Sequence, residues 1–275
     1  MLKILFFETE EYTGATRVTR TLAKAAEKKF LVAFARVGDN VNEDIETAIE
    51  AEKPDLLFSS FIKLNPDVIT AGKRRSLYVI VRNDYNLEDV SVEVKERALE
   101  TYLLADEIIV QTEEMKRNLC QALGSDISKI RVMDNPLDEE DILLKAAEPN
   151  PFEDNGKYHF LWVGRKDPIK DLPTLQKAFY EVHRQYPDTD LTLITNEPNP
   201  YRWMKHTDCL VISSISEASP NVLREALFLK TKVISTDCSP TVRKLLPTEN
   251  ICPVRDAEAL ANLMIQCINR NKQSD

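Results

Sequence analysis

The sequence is short of histidine, of paired cysteine and of long apolar runs. Its three histidines, His159, His183 and His206, have no metal-ligand spacing, which argues against a histidine metal centre. Its five cysteines are scattered without a C-x-x-C pair, which is typical of reduced thiols in a cytoplasmic protein. No apolar run approaches the roughly 20 residues that a membrane-spanning helix needs, so we expect a cytoplasmic protein that contacts a membrane at most peripherally.

Positive charge is also in short supply. The chain has 36 Lys and Arg against 45 Asp and Glu, a formal net charge of −9. It therefore lacks the overall basic field of a general nucleic-acid binder, and we expect no nucleic-acid partner. The local run Lys73-Arg74-Arg75 could meet an anionic membrane surface, such as the inner membrane face, or a phosphorylated acceptor. The alternative for three consecutive cations is a solvated loop.

Short apolar runs alternate with amphipathic stretches along the whole chain, which predicts parallel sheets covered by helices on both faces. The predicted strands are Lys3–Phe7, Leu31–Ala35, Asp55–Ser59, Tyr78–Arg82, Glu107–Gln111, Ile130–Met133, His159–Val163, Leu191–Ile194, Cys209–Ser213 and Lys232–Ser235. The predicted helices are Ala15–Lys29, Asn42–Glu52, Asn65–Ala71, Ser91–Leu104, Glu113–Leu123, Leu172–Gln185, Asn221–Phe228, Thr241–Leu246 and Ala257–Arg270.

The alternation stops once, at Glu148–Gly156, where two prolines, a glycine and polar residues have no periodicity. This segment predicts a linker between two α/β domains, 1–148 and 149–256, followed by a terminal helix, 257–275, that could pack back toward the first domain. Two such domains would face each other across a cleft. Ligands would then bind at the carboxyl ends of the strands that line it.

One polar loop predicts an anion site. In Asp208–Ala226 a buried strand leads into a polar loop and then a helix that Ser219 or Asn221 could cap. Loop amides and a helix amino terminus suit a phosphate. The nearby Glu217 and Glu225 would repel that phosphate unless they accept hydrogen bonds from neutral hydroxyls, such as those of a sugar and a ribose. The alternative makes Glu225 a helix-start residue favoured by the helix dipole and Glu217 an ordinary loop acid.

A second segment of the same domain carries positive charge. In Phe160–Leu172 a strand ends at Gly164, which permits a sharp exit and close approach of a ligand. Arg165 can form a forked contact with phosphate oxygens, and Lys170 offers a point charge. Together with the acidic loop they would form a clamp for a diphosphate. Taken alone, these cations could equally be exposed surface charge.

These segments resemble the retaining glycosyltransferases of the GT-B fold, in the sucrose-synthase-like family four, also called glycosyl transferases group 1. Val163-Gly164-Arg165 with Lys170 matches V-G-R followed by a lysine five residues after the arginine. Ser213–Ala226 follows the pattern P-S-x-x-E-G-x-P-N-x-x-x-E-A. Val233–Asp237 is similar to the strand V-I-A-T-D, and Cys252–Ala261 to the segment before the last helix.

The first half resembles the family more loosely. Thr13-Gly14-Ala15 lies where relatives have a glycine-rich loop near the donor phosphates, and Asn135–Asp138 where many have N-G-V-D. Arg82-Asn83-Asp84-Tyr85 lies where many have a histidine-containing loop in the cleft, which places Arg82 and Asp84 on the acceptor side. The alternative for Asp84 is a turn-capping residue.

The resemblance implies a GT-B fold of two Rossmann-like domains and retaining, metal-independent transfer from a nucleotide diphosphate sugar, with no other cofactor. The acceptor would be a saccharide, a lipid-linked compound or a small molecule. Arg165 and Lys170 would neutralise the leaving diphosphate, Glu217 would hold the sugar hydroxyls and Glu225 the ribose hydroxyls. The other implied donor contacts are Gly14, Gly164, Thr195, Asn196, Ser219, Pro220, Asn221 and Val222.

The sequence departs from the family pattern where glycines are usual, since the whole chain has only six. Ala218 replaces the glycine after the first glutamate, and Leu229-Lys230 replaces the C-G before the next strand. Two other functions therefore stay open. One is a non-catalytic subunit that binds a sugar nucleotide or stabilises a partner, and the other is a different enzyme on the same fold, such as an epimerase or a phosphorylase.

Overall fold

The structure, a computed structural model, describes residues 1–10, 13–124, 128–153, 155–195 and 197–271. The chain forms two compact units, Met1–Pro136 and Leu137–Asp275. Each unit has its own sheet, and the paired strands of both sheets run parallel. This confirms the predicted α/β class with two Rossmann-like domains. Within the stretches that the structure describes, no helix is long and apolar enough to cross a membrane.

The first unit contains a sheet of six strands in the order β2-β1-β3-β4-β5-β6. Its strands are β1 (Lys3–Thr9), β2 (Leu31–Val37), β3 (Leu56–Ser59), β4 (Tyr78–Arg82), β5 (Glu107–Val110) and β6 (Ile130–Val132). Its helices are α1 (Gly14–Ala26), α2 (Val41–Glu52), α3 (Asn65–Arg74), α4 (Val92–Tyr102) and α5 (Glu113–Leu123). The strand order reverses between β1 and β3, which makes this the switch point of the sheet.

Both faces of the first sheet are buried: successive side chains of a strand point to opposite faces, and the neighbours Leu57 and Phe58 are both buried. Phe6 and Phe58 pack on one face, with ring centroids 4.9 Å apart. Leu57 and Val79 are fully buried, and Gly72 of α3 lies against both. A Cβ at Gly72 would lie 2.5 Å from Val79 Cγ2, so only glycine lets α3 pack this closely on the sheet.

The second unit contains a sheet of five strands in the order β11-β10-β9-β7-β8. Its strands are β7 (Tyr158–Val163), β8 (Thr189–Ile194), β9 (Cys209–Ile212), β10 (Val233–Thr236) and β11 (Ile251–Cys252). Its helices are α6 (Glu139–Ala146), α7 (Leu172–Gln185), α8 (Tyr201–His206), α9 (Asn221–Phe228), α10 (Pro240–Leu245) and α11 (Ala257–Asn271). Its strand order reverses between β7 and β9.

The boundary between the units lies before α6, whereas the sequence places it after residue 148. Helix α6 belongs to the second unit because Ile142 and Ala146 are buried in that unit's core. The backbone oxygen of Lys145 also accepts a 2.9 Å hydrogen bond from Asn199 Nδ2. The first domain predicted to run over 1–148 therefore ends earlier in the structure.

The terminal helix α11 is an integral part of the second unit. Leu260, Met264 and Cys267 are buried in a core cluster that also contains Leu175 and Val182 of α7. Losing this helix would expose one face of the second sheet. The segment predicted as a separate helix, 257–275, is therefore a structural layer of the second unit as far as the structure describes it.

Candidate functional site

The two polar segments identified in the sequence follow the two strands at the switch point of the second sheet. Gly164 comes directly after β7 and Ser213 directly after β9. The strands pair in parallel, with Leu161 opposite Leu210, so their carboxyl ends meet at one edge. In open α/β sheets, ligands bind outside the carboxyl ends at such a switch point. The structure therefore brings the basic and the acidic segment to one edge.

Lys170 and Glu217 meet at this edge as an ion pair between Nζ and Oε1. Ser214 Oγ donates a 2.8 Å hydrogen bond to the same carboxylate oxygen. The two charged side chains are only 20% and 15% exposed, so solvent screens their attraction less than it would on an open surface. The cation and the acid that the sequence predicts to converge therefore bond each other directly.

The loops after β7 and β9 are also joined through their backbones. Ser213 Oγ donates to the backbone oxygen of Lys170 at 2.7 Å, and Ile215 N donates to the backbone oxygen of Ile169 at 2.8 Å. Ile169 and Lys170 belong to a 3₁₀ turn, Pro168–Lys170. These bonds fix the height of the 3₁₀ turn above the sheet and, with it, the position of the lysine side chain.

Arg165 and Gly164 play different parts at the end of β7. The Arg165 side chain is 44% exposed, and its guanidinium lies 3.9 Å from the Asp167 carboxylate. Gly164 donates its backbone N–H to Ile194 at 3.0 Å, and a Cβ there would lie 3.1 Å from the indole ring of Trp162. A side chain at position 164 would therefore crowd Trp162, whereas the backbone makes no demand for glycine, because the φ of Gly164 is not positive.

Helix α9 begins beside the acidic loop. Its N-cap is Pro220, whose side chain has no hydrogen-bonding group. The amides of the first turn, which starts with Asn221 and Val222, therefore receive no hydrogen bond from an N-cap side chain. Ser219, just before the cap, is buried and accepts a 3.3 Å hydrogen bond from Thr241 Oγ1. A helix start of this kind suits an anion, because the helix dipole and the amides both favour negative charge.

Glu225 lies beyond the first turn of α9 and is only 4% exposed. Tyr201 Oη of α8 donates a 3.4 Å hydrogen bond to its Oε1. The first turn of α9 contains no acid, so the interpretation of Glu225 as a helix-start residue is wrong. Burying a carboxylate is costly unless polar groups surround it, and the Tyr201 hydroxyl is one such group.

The two departures from the family glycines have opposite outcomes. Ala218 is buried and its φ is not positive, so its Cβ causes no backbone strain. Lys230 has a φ of 61°, a left-handed conformation, and donates its backbone N–H to Leu227 at the end of α9. Left-handed backbone is strained for a residue with a Cβ, so Lys230 occupies a position suited to glycine.

The edge strand β8 contributes less to this site. Thr195 directly follows β8, whereas Asn196 lies outside the described residues. A D-x-D triplet, Asp188-Thr189-Asp190, lies at the opposite, amino end of β8, where Asp190 pairs with Lys157 at 3.0 Å. Across the described ranges, no three His, Cys, Asp or Glu side chains are grouped so that they could hold a metal ion.

In the first unit, Gly14 is the first residue of α1, and the helix start carries a complete capping box. Thr13 Oγ1 accepts from Thr16 N at 3.4 Å, and Thr13 N donates to Thr16 Oγ1 at 3.1 Å. The helix therefore supplies its own cap with threonine side chains. Residues 11 and 12, which lead into it, lie outside the described residues.

Arg82 and Asp84 lie at the end of β4. Arg82 is 3% exposed, and its Nη2 donates to Asn135 Oδ1. Burial lowers the pKa of this guanidinium to about 10, while the nearby Asp84 opposes the shift, so Arg82 stays charged at neutral pH. Asp84 Oδ1 accepts a 2.9 Å hydrogen bond from Ile62 N, which ties the end of β4 to the turn before α3.

The basic run Lys73-Arg74-Arg75 is matched by acids of the same unit. Lys73 pairs with Asp106, and Arg75 pairs with Glu46. Arg74 Nη1 also lies 3.7 Å from Glu46 Oε1. These carboxylates offset much of the positive charge that a membrane contact would use.

Two residues of the site were missed from the sequence. Ser214 bonds Glu217 and had a signal, because it occupies the serine of the family motif. Tyr201 bonds Glu225 but lies on α8, which the sequence did not predict. This helix has six residues, follows two prolines and precedes a buried strand. Six residues are too few for a helical spacing of apolar residues to be recognised.

Comparison with known proteins gives one family match and one curated relative. Residues 131–270 match the family model described as glycosyl transferases group 1. Over 183 residues, 55% of this chain, the sequence is 30% identical to an uncharacterized glycosyltransferase, MJ1059, of Methanocaldococcus jannaschii. The match covers 43% of that protein, so this chain spans less than half the length of the relative.

Solved structures show the same fold over nearly the whole chain. HepE of Anabaena, crystallised with UDP-glucose, is similar with a TM-score of 0.79 at 16% identity, covering 99% of this chain and 91% of that chain. A glycosyltransferase of Rickettsia africae is similar with a TM-score of 0.68 at 15% identity, covering 98% and 88%. These similarities confirm the predicted GT-B fold of two Rossmann-like domains.

Proposed function

Because this chain belongs to the glycosyl transferases group 1 family, we propose that it transfers a sugar from a nucleotide diphosphate sugar to an acceptor hydroxyl. The acceptor would be a saccharide, a lipid-linked compound or a small molecule. The observation that carries the proposal is the partly buried Lys170–Glu217 pair beside the amino end of α9, at the switch point of the second sheet. We further propose that transfer retains the anomeric configuration and needs no metal ion.

The leaving group in this reaction is a nucleoside diphosphate. The bond between the anomeric carbon and a β-phosphate oxygen breaks, the acceptor oxygen bonds to the same carbon, and the acceptor proton passes to the departing phosphate. Lys170 and Arg165 would offset the developing negative charge, and the amides at Asn221 and Val222 would donate to phosphate oxygens. This electrostatic work requires fixed donors, which the bonds between the two loops provide.

The two glutamates would bind neutral hydroxyls of the donor. Glu217 would accept from the sugar and Glu225 from the ribose, with Tyr201 holding the Glu225 carboxylate in place. A carboxylate next to a diphosphate repels it unless a cation offsets the charge. Lys170 is bonded to Glu217, so the pair is close to neutral before the diphosphate arrives.

A binding experiment with the full chain tests the proposal. Thermal melting is measured against UDP, GDP and ADP, and the best ligand should stabilise the protein by about 2.7 kcal/mol at 100 times its Kd. The matching sugar nucleotide should then release its diphosphate slowly without an acceptor. Failure of every nucleotide to bind would contradict the proposal. Binding without turnover across a broad acceptor panel would instead support the non-catalytic subunit.

Two further measurements test the finer points. The anomer of the first product, followed by proton NMR, should match that of the donor sugar. EDTA should leave the rate unchanged, whereas loss of activity that Mg²⁺ or Mn²⁺ restores would show that a metal is needed. Cytoplasmic location and membrane contact through Lys73–Arg75 stay predictions, and sedimentation with anionic vesicles tests the contact.

A further inference from the structure

A layer of buried polar side chains lies along the carboxyl edge of the first sheet. On three neighbouring strands, an apolar core residue is followed two positions later by a polar one. These pairs are Phe58 and Ser60, which directly follows β3; Ile80 and Arg82, the last residue of β4; and Ile109 and Gln111, which directly follows β5. Residues two apart in a strand point to the same face, and Arg82 is paired with Ile109 across β4 and β5. Ser60, Arg82 and Gln111 therefore lie where three neighbouring strands end, with Gln111 two residues beyond the partner of Arg82. We call these three residues the polar row.

The polar atoms of this row have unmet hydrogen-bonding capacity. Ser60, Arg82 and Gln111 are 0%, 3% and 1% exposed. Within the part of the chain that the structure describes, Ser60 Oγ, Arg82 Nη1 and both amide atoms of Gln111 lack a hydrogen-bond partner. Such groups are rare in native proteins, and each destabilises the fold. Three such residues at one edge of the sheet favour a polar ligand there.

The first strand of the same sheet provides a contrast. On β1, Glu8 follows Phe6 by two positions, as Ser60 follows Phe58. Glu8 is also buried, but Arg20 donates to its two carboxylate oxygens at 2.9 and 3.0 Å. The protein thus completes the hydrogen bonds of this layer on β1 by itself. The polar row, at the ends of β3, β4 and β5, has the same position in the fold without that completion.

The polar groups of the row determine which kind of ligand would satisfy their hydrogen bonds. The Arg82 guanidinium is a cation that Asn135 holds by one nitrogen, and its second terminal nitrogen offers donors to an anionic oxygen. Gln111 offers a donor and an acceptor, and Ser60 can act as either. We propose that Ser60, Arg82 and Gln111 bind the acceptor substrate, and that this acceptor is a hydroxylated compound with one anionic group, a phosphate or a carboxylate. The inference rests on the proposed glycosyl transfer and specifies its acceptor class.

Calorimetric titration of the full chain tests the acceptor class. The probes are glucose 6-phosphate, glycerol 3-phosphate and glucuronate, with glucose as the neutral match. At least one anionic probe should bind ten times more tightly than glucose, and comparison of phosphate with carboxylate shows which group Arg82 prefers. Equal affinity for glucose and the anionic probes, or binding of none of them, would overturn the proposal.

Variants of the row separate binding from structure. Gln111→Met and Arg82→Lys should each weaken binding of the anionic probe about tenfold, the size of one lost charge-assisted or buried hydrogen bond. Gln121→Met, on the exposed face of α5, is the matched control and should leave the affinity unchanged. Because Gln111→Met removes unsatisfied polar atoms, the melting temperature of the free protein should hold steady or rise. A lowered melting temperature with unchanged affinity would show that Gln111 is purely structural.

Nucleotide binding distinguishes this inference from the proposed function. In Gln111→Met, the thermal shift that the best nucleoside diphosphate produces should equal the wild-type shift. If the wild type binds a nucleotide but no anionic probe, the acceptor class is wrong and the transferase proposal stands. If the wild type binds no nucleotide, the transferase proposal itself fails. A high-resolution structure with the probe that shows only ordered water at Ser60 and Gln111 would also overturn the inference.

Discussion

The two sheets carry polar side chains at the same edge but satisfy them in different ways. In the second unit, Lys170 and Ser214 both bond Glu217, so protein contacts fix the positions of these side chains. Among the described residues of the first unit, Ser60 Oγ and both amide atoms of Gln111 are buried without a hydrogen-bond partner. Preorganised charges suit a step in which charge develops on a leaving group. Unsatisfied groups gain bonds only from the correct ligand, so they suit discrimination between acceptors.

The amino ends of helices α1 and α9 also differ in whether a side chain of the protein caps them. The N-cap of helix α1 is Thr13, whose side chain accepts a hydrogen bond from the amide of Thr16. The N-cap of helix α9 is Pro220, whose side chain has no group that can bond an amide. Of these two helix starts, α9 is therefore the better phosphate site. Gly14, which the sequence predicts near the donor phosphates, stays a prediction.

The largest effect is expected from breaking the ion pair of the second unit. Lys170→Ala removes a cation that would offset the diphosphate and leaves Glu217 partly buried without its charge partner. We expect turnover to fall by about 100-fold or more, as for the loss of a preorganised donor to a developing charge. Steady-state release of the nucleoside diphosphate measures this. The exposed Lys177→Ala on α7 is the control, and equal rates for both variants would contradict the role of Lys170.

A smaller effect is expected at the second glutamate. Glu225→Gln keeps the shape and the Tyr201 contact but lowers the acceptor strength toward ribose hydroxyls. Nucleotide affinity should fall by about tenfold, because a hydrogen bond to a charged group contributes roughly 1.5–3 kcal/mol. Calorimetric titration with the preferred nucleoside diphosphate measures the change. Glu258→Gln, at an exposed position of α11, should bind as the wild type does. An unchanged Kd in Glu225→Gln would remove it from the site.

The turn after β7 should resist even one added methyl group. In Gly164→Ala the new Cβ would lie 3.1 Å from the buried Trp162 ring, so the ring or the loop must move. We expect a loss of about 1–3 kcal/mol in the free energy of unfolding, as for overpacking of a core. Denaturant titration measures it. Gly38→Ala is the matched control, because its φ is not positive and the nearest atom to its new Cβ, Glu10 Oε1 at 3.2 Å, ends a flexible side chain. Equal losses in the two variants would contradict the role of Trp162.

The smallest effect is a gain in stability at the end of α9. The left-handed conformation of Lys230 costs about 1–2 kcal/mol for a residue with a Cβ. Glycine removes that strain but loses about 0.4–1 kcal/mol through the more flexible unfolded chain. Lys230→Gly should therefore raise the free energy of unfolding by up to about 1 kcal/mol. Lys230→Ala keeps the strained Cβ and should show no such gain, and equal stabilities of the two variants would refute the explanation.

Most of the fold could be predicted because long alternating patterns leave few alternatives. Every predicted strand and helix has a counterpart in the structure, with ends that differ by a few residues. The missed elements are short: α6 has eight residues, α8 has six and β11 has two. The two helices have only about two turns each and the strand has two residues. In segments this short, the spacing of apolar residues cannot be distinguished from chance. The missed α6 also moved the predicted domain boundary.

The part of the candidate site that consists of charged side chains could be predicted from the sequence. Lys170 and Glu217 could be paired because charges after adjacent parallel strands meet at one edge. The contact of Glu225 with Tyr201 could not be predicted, since Tyr201 lies on a helix that the sequence did not reveal. The unmet bonds of Gln111 were equally out of reach, because an isolated glutamine after a strand resembles any loop residue.

The central claim is that the loops at the carboxyl ends of β7 and β9 bind the diphosphate. Hydrogen exchange with and without a saturating nucleoside diphosphate tests this claim most directly. The preferred nucleotide from the melting experiment is added to the full chain, and amide protection is followed by mass spectrometry. We predict new protection in residues 164–170 and 213–222. Protection confined to other segments, with these two unchanged, would contradict the account.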